Sequence, residues 1–353
     1  MSGGVDSSVV AARVAESGLR AVAITLAMWP REREVVRDRG CCSIDAVEDA
    51  RRVADQLGMR HYVWNLEDDF DHHVIRAFED GYAAGRTPNP CTRCNERIKF
   101  GVLLDRARSI GATHLATGHY ARVGRRGAAF TLHRARDGRR DQSYVLHRLS
   151  QHQLGHALFP LGASDSKDDV RAEAAARTLI TAAKSESQDL CFVDGTLRDE
   201  LGRRLAGRFA PGPVVDRDGA TIGRHDGLPF LTVGQRSGLR IETRRPDAAP
   251  RYVIELRPVE NVVVVGGRAD LQKQELIADD CSWISGMPPA AGTMCQAQLR
   301  AHGSPEDARV EGVNCTTLRL RFPRPVEQVS PGQAVVLFNG DEVLGGGVIQ
   351  RAT

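Results

Sequence analysis

The first eight residues concentrate groups that bind anions. Ser2-Gly3-Gly4-Val5-Asp6-Ser7-Ser8 runs straight into an apolar helical stretch, Val9 to Val14. Two glycines let backbone N–H groups close on an anion, the hydroxyls add donors, and the helix N-terminus supplies partial positive charge. This is a phosphate cradle. It lacks the GxxxxGK[ST] pattern and has no lysine of its own, which argues against a Walker-type phosphotransferase. Asp6 reads either as a Mg²⁺ partner or as a cap-like structural residue. Sulfur is the second chemistry, with eight cysteines in the chain. Cys91 and Cys94 form a CxxC that reads as a thioredoxin-like redox pair or as half of a zinc site; a second CxxC to complete the zinc site is missing. Cys281, Cys295 and Cys315 read as small packing residues. The adjacent pair Cys41-Cys42 does not have metal spacing.

The elements that must position these groups alternate in character. Ala21 to Ala27 and His61 to Leu66 read as strands, with a helix between them capped by Ser43, carrying Val47, Ala50, Val53, Ala54 and Leu57, and stopped at Gly58. Lys99 to Ile110 reads as a helix. Thr113 to Thr117 reads as a third strand opening onto Gly118-His119-Tyr120, and strand C-termini are where such folds bind ligands. Ser166 and Asp169 form a capping box for a helix running to about Ala183. After residue 195 helical periodicity fades, and short β-like runs such as Tyr252 to Leu256 and Val262 to Val265 take over. Asn339-Gly340 signals a tight hairpin turn. The expected architecture is an α/β domain with a parallel sheet over 1–195, a small central β-rich domain over 200–266 and a C-terminal β-barrel over 274–353.

Composition narrows the setting. With 353 residues, the chain has room for two to three domains at about 150 residues each. No run approaches the roughly 18 apolar residues of a membrane span, and no charged-then-apolar leader is present, so a cytoplasmic protein with reduced thiols is expected. The 48 basic residues are 44 arginines and 4 lysines. Between Arg122 and Arg140 stand seven arginines and one acid, Asp137. That stretch is either a phosphate-contact surface or a solvated loop.

The opening string resembles the PP-loop of the ATP pyrophosphatase superfamily, whose members adenylate a carbonyl oxygen and release pyrophosphate. Thr87-Pro88-Asn89-Pro90-Cys91-Thr92-Arg93-Cys94-Asn95 with Ile98-Lys99-Phe100 resembles the stretch around the catalytic cysteine of the tRNA-specific 2-thiouridylases. Thr117 to Ala121, Asp141-Gln142-Ser143-Tyr144, Ser187 to Phe192, Thr232 to Arg236, Pro331-Gly332-Gln333 and Gly345-Gly346-Gly347 match in the same order, so the resemblance spans essentially the whole chain.

The resemblance implies ATP, with Mg²⁺, held by Ser2, Gly3, Gly4, Val5, Asp6, Ser7, Ser8, Met28 and Gly118. It implies Cys94 as the nucleophile of thiolation and Cys191 as the persulfide carrier. Two such thiols suit sulfur transfer, one carrying sulfur and the other helping to release it. Asn89, Pro90 and Cys91 would approach the target base, and His119, Arg140, Asp141, Gln142, Arg300 and Gln333 would lie near the tRNA. The partners implied are the anticodon stem-loop of tRNAs with a wobble uridine and a sulfur donor protein fed by a cysteine desulfurase relay. Persulfide-type members usually carry Asp where this chain has Cys91. Members with a CxxC and a distant third cysteine are associated with a 4Fe-4S cluster, which Cys91, Cys94 and Cys191 could hold.

The family also places an apolar strand just before the phosphate loop, where this sequence has only Met1. The resemblance therefore implies a start further upstream, or a chain that folds poorly. Two alternatives stay open on the residues: another PP-loop adenylating enzyme (a different tRNA thiolase or an amidating ligase), or a non-catalytic, nucleotide-sensing RNA-binding protein.

Overall fold

The structure, a computed structural model, describes residues 1–28, 44–185, 190–193, 195–241, 249–327 and 329–353. The expected cap at Ser43 and the pair Cys41-Cys42 lie outside the described residues. Contacts divide the chain into two compact units. The first comprises Met1–Val74, Cys91–Asp194 and Asp341–Val343, and the second Ile75–Pro90, Gly195–Gly340 and Leu344–Thr353.

In the first unit, β1 (Val22–Ala27) and β2 (Arg60–Asn65) pair in parallel, Val22 with Arg60 through Ala27 with Asn65. Parallel neighbours need a crossover, and the helix Ile44–Gln56 provides it. Its Ala46, Ala50, Val53 and Ala54 are buried on one face at helical spacing. Gly58, at φ +65°, follows its end. Then come β3 (Leu115–Ala116), the hairpin of β4 (Ala121–Arg126) with β5 (Ala129–Arg134), and β6 (Ala157–Leu158), which pairs in parallel with β3. The expected strand Thr113 to Thr117 is therefore reduced to two residues. Thr113 and His114 are exposed and irregular, with His114 Nδ1 3.0 Å from Thr113 Oγ1.

The helix after Ser166 also stops early, at Ala176. Thr178 takes a left-handed φ of +52°. Its N–H donates to the Ala175 carbonyl, and the Leu179 N–H donates to Ala174. That is Schellman closure without the glycine that usually announces it. This helix and Val5–Glu16 share a core of Val5, Val9, Val10, Val170, Ala174 and Leu179.

The second unit holds a β-rich module and a barrel. The module orders β7 (Gly212–Val215), β8 (Thr221–His225), β9 (Arg240–Ile241), β10 (Tyr252–Arg257) and β11 (Val262–Gly266) as β10-β11-β7-β8-β9, around Val214, Val253, Val263 and Val265. The barrel consists of β12 (Lys273–Trp283), β13 (Met294–Gln298), β14 (Glu306–Val313), β15 (Leu318–Val326), β16 (Ala334–Asn339) and β17 (Glu342–Ala352). Its order is β12-β15-β14-β13-β16-β17, and pairing of β12 with β17 closes it. Closure removes the open edges that an isolated sheet would present. Leu318, Leu320 and Phe322 alternate inward from β15, as a period of two requires. Gly340, at φ +61°, makes the tight turn from β16 to β17. Cys295 and Cys281 pack in or against this core, whereas Cys315 is exposed and is not a packing residue. Burial pushes the Cys295 thiol up to about 11, so it stays protonated and inert.

Candidate functional site

The cradle is built by short-range bonds. Gly4 caps the helix Val5–Glu16, and its carbonyl accepts from the Ser7 and Ser8 hydroxyls, each at 3.0 Å. Ser2 N donates to Ser7 Oγ at 3.1 Å. Gly3 has φ +66°, and a Cβ there would lie 2.2 Å from the Ala46 carbonyl oxygen. Only glycine fits that place. Gly3→Ala is accordingly expected to weaken ATP binding by roughly tenfold or more by displacing the loop, as calorimetric titration with ATP would show. Gly118 packs on the loop as well, since a Cβ would stand 3.1 Å from Asp6 Cβ and 3.3 Å from Ser7 N. Met28 is buried at the end of β1.

A lysine does reach this site, but from far along the chain. Lys167, the first residue of its helix, donates from Nζ to Asp6 Oδ1 at 2.6 Å and to Oδ2 at 2.7 Å. Tyr120 donates its hydroxyl to Asp6 Oδ1 at 2.7 Å, and the Lys167 ammonium stands 5.7 Å from the centre of the Tyr120 ring. The Lys167 side chain is only 7% exposed and that of Asp6 32%. With both its oxygens engaged, Asp6 serves here as an anchor for the lysine, and a Mg²⁺ ion on it does not fit this arrangement. No local motif reveals this lysine, because the two residues are 161 positions apart. The one local signal was a lysine directly after the Ser166 cap.

The thiol segment is a short α-helical turn, Pro90–Arg93, leading into a π-helical stretch, Cys94–Leu103, that continues as the α-helix Leu104–Ser109, so the helix expected from Lys99 to Ile110 is present but starts earlier. π-helical geometry is uncommon and concentrates at functional sites. Cys91 is exposed and Cys94 is buried. Beside them Glu96 accepts from Arg148 at 2.8 Å and pairs with Arg93 and Arg97, each at 3.3 Å. One carboxylate is thus shared among three guanidinium groups. Asn95 donates to the Val145 carbonyl. Cys191 is half-buried, and the adjacent Phe192 lies edge-on to Phe70 with ring centres 6.3 Å apart. Among the described residues, no three His, Cys, Asp or Glu side chains converge as a metal-holding group. Cys91, Cys94 and Cys191, the expected holders of a 4Fe-4S cluster, form no such group among the described residues.

Several residues expected near RNA have internal work. His119 is buried, its Nδ1 2.8 Å from Thr117 Oγ1 and its ring against both Phe100 and Phe159. Burial, with Lys99 nearby, holds its pKa well below the usual 6.5. A depressed histidine pKa gives stability that is present above about 6.5 and lost as pH falls below it, where the unfolded state binds the proton first. The melting temperature is thus expected to drop on acidification from pH 7 to 5, and less steeply in His119→Gln. Asp141 accepts from Arg134, from the Ser143 hydroxyl, and from the N–H groups of Ala135 and Ser143. Gln142 clasps Tyr120 through both of that residue's backbone groups. Arg140 is half-exposed at the same turn, and Arg300 is exposed after β13.

Four of the seven arginines in the arginine-rich stretch meet acids. Arg122 pairs with Asp341, Arg126 with Glu342, Arg134 with Asp141 and Arg136 with Asp165, while Arg125 stacks on Phe130. Most of these pairs are exposed, with the Arg126 side chain 72% and the Arg136 side chain 66% accessible.

Comparisons with known proteins identify the family. Residues 1–195 match the family model described as tRNA methyl transferase HUP domain, residues 199–267 the tRNA methyl transferase PRC-barrel domain, and residues 273–349 the aminomethyltransferase beta-barrel domain. The architecture is thus a nucleotide-binding HUP domain followed by a PRC-barrel and a C-terminal barrel. The chain is 49% identical to the tRNA-specific 2-thiouridylase MnmA of Acidothermus cellulolyticus, covering 99% of this chain and 96% of that protein. It is 46% identical to the protein of that name from Streptomyces avermitilis, over 100% of this chain and 94% of the other, and 45% identical to that of Chloroflexus aggregans, over 99% and 97%. The chain belongs to the tRNA-specific 2-thiouridylase family. No helix among the described residues is long and apolar enough to cross a membrane.

Proposed function

We infer that this chain is an ATP-dependent tRNA-uridine 2-sulfurtransferase acting on the wobble uridine. The observation that carries the reading is the glycine-built phosphate cradle with its buried lysine, in a chain that also presents the CxxC and Cys191. In the first step the C2 oxygen of uridine attacks the α-phosphorus of ATP, giving an O-adenylated base and pyrophosphate. Backbone N–H groups and hydroxyls of Ser2 to Ser8 hold the phosphates, and Lys167 stands ready to offset their charge. Mg²⁺ would accompany the nucleotide.

In the second step the terminal sulfur of a Cys191 persulfide attacks C2 and expels AMP. The Cys94 thiolate then attacks the Cys191 sulfur, releasing 2-thiouridine and leaving a Cys94–Cys191 disulfide that an external dithiol reduces. The target base must leave its stack, which is inexpensive in a single-stranded anticodon loop. The sulfur comes from a persulfide-carrying donor protein, and the work is done in the cytoplasm.

The test is reconstitution with ATP, tRNA and a persulfide donor, with nucleosides analysed by mass spectrometry. Formation of 2-thiouridine with one AMP and one pyrophosphate per product is expected. ATP-independent product, or no AMP release, would overturn the reading. Iron-dependent activity in an anaerobic preparation would replace the persulfide route by one on a cluster.

A further inference from the structure

The irregular segment Arg86–Asn89 is gripped from several sides within the second unit. Thr87 N–H donates to the Pro331 carbonyl at 2.8 Å, and Gln333 Nε2 donates to the Thr87 carbonyl at 2.7 Å. Thr87 Oγ1 donates to Thr232 Oγ1 at 3.2 Å. The Ser330 hydroxyl in turn donates to the Val233 carbonyl at 3.2 Å, tying the two motifs that hold Thr87 to each other. Gly332 has φ +93°, and a Cβ there would stand 2.7 Å from Thr87 N and 2.8 Å from Arg86 Cβ. On the other side Pro88 lies against Gly81, where a Cβ would be 2.8 Å from its Cγ, and Arg86 N–H donates to the Gly81 carbonyl at 2.9 Å. Three residues after Thr87 the chain passes out of the second unit and into the first, between Pro90 and Cys91.

We propose that Thr232, Gly332 and Gln333 are positioning residues for sulfur transfer: they clamp Thr87 so that the chain enters the CxxC helix from a fixed point. A clamp with this many bonds on one residue is more than a surface turn needs. The segment it fixes leads without a break into the thiols. Gln333, expected beside the RNA, directs one side-chain amide donor to the protein backbone in this state. The proposal rests on the thiolation reading above. Reacting groups must be held to within about an ångström, and misplacement by that much from a remote mutation can lower rate about 10²-fold.

The test uses the full-length chain with Gly332→Ala, Thr232→Val and Thr232→Ser. The turnover number for 2-thiouridine is expected to fall roughly 10²-fold in Gly332→Ala. It should fall about fivefold in Thr232→Val, the loss of a single hydrogen bond, and recover in Thr232→Ser. KM for ATP should hold in all three, because the cradle belongs to another segment. Equal behaviour of Thr232→Val and Thr232→Ser, or a rise in KM for ATP alongside the fall in turnover, would overturn the assignment. Hydrogen exchange of the peptide spanning residues 86–94 gives a readout independent of turnover. It should speed up at least about tenfold in Gly332→Ala, and unchanged exchange sinks the clamp whatever the activity. A wild-type chain that forms no 2-thiouridine counts instead against the thiolation reading.

Discussion

Cys94→Ser and Cys191→Ser are each expected to lower 2-thiouridine formation by at least about 10³-fold while pyrophosphate release with tRNA continues within about twofold of wild type. A serine hydroxyl is barely ionised near neutrality and cannot carry a transferable sulfane sulfur, so neither persulfide formation nor release of the product thiolate survives the change. The adenylation step uses the cradle and not the thiols, which is why the two readouts should part. Cys94 is buried, but replacing sulfur by oxygen changes little volume, so the fold should hold. Cys91→Ser is the internal control: this exposed thiol has no part in the two-thiol route and should retain most activity. Thiolation that survives in Cys191→Ser, or that fails equally in Cys91→Ser, would remove the proposed division of roles.

The second large effect falls on the cradle. Lys167→Met is expected to lower kcat/KM for AMP and pyrophosphate formation about 10²-fold, the loss typical when one fixed charge-stabilising group is removed. Stability should respond asymmetrically. Removing Lys167 leaves Asp6, whose side chain is 32% exposed and can be rehydrated. Removing Asp6 takes two hydrogen bonds and the paired charge from an ammonium whose side chain is 7% exposed. Asp6→Ala should therefore destabilise by about 3 kcal/mol, and Lys167→Met by distinctly less. Thermal melts of the two variants check the order, and a larger loss in Lys167→Met would show that the ammonium is not held as the geometry implies.

How far these sites were legible in the sequence depended on how local their chemistry is. The cradle, the CxxC and the Asn339-Gly340 turn are contiguous, because a backbone nest, a thiol pair and a tight hairpin each need neighbouring residues with particular φ freedom or reach. The crossover helix was legible too, since burying one face imposes its spacing on Ala46, Ala50, Val53 and Ala54. Helix ends were less so. The stop after Ala176 depends on a threonine in a left-handed conformation, which no turn residue announces.

By itself, then, the sequence determined the succession of an α/β domain, a β-rich module and a barrel, and the phosphate and sulfur chemistry. Tertiary structure decided which charges are spent and which are aimed. Lys167 meets Asp6 across 161 residues, and the Arg122 and Arg126 guanidinium groups pair with acids 219 and 216 positions away. Gln333 reaches Thr87 across 246 residues. An ion pair or hydrogen bond acts over a few ångströms of space, and chain position does not encode that distance until the chain is folded.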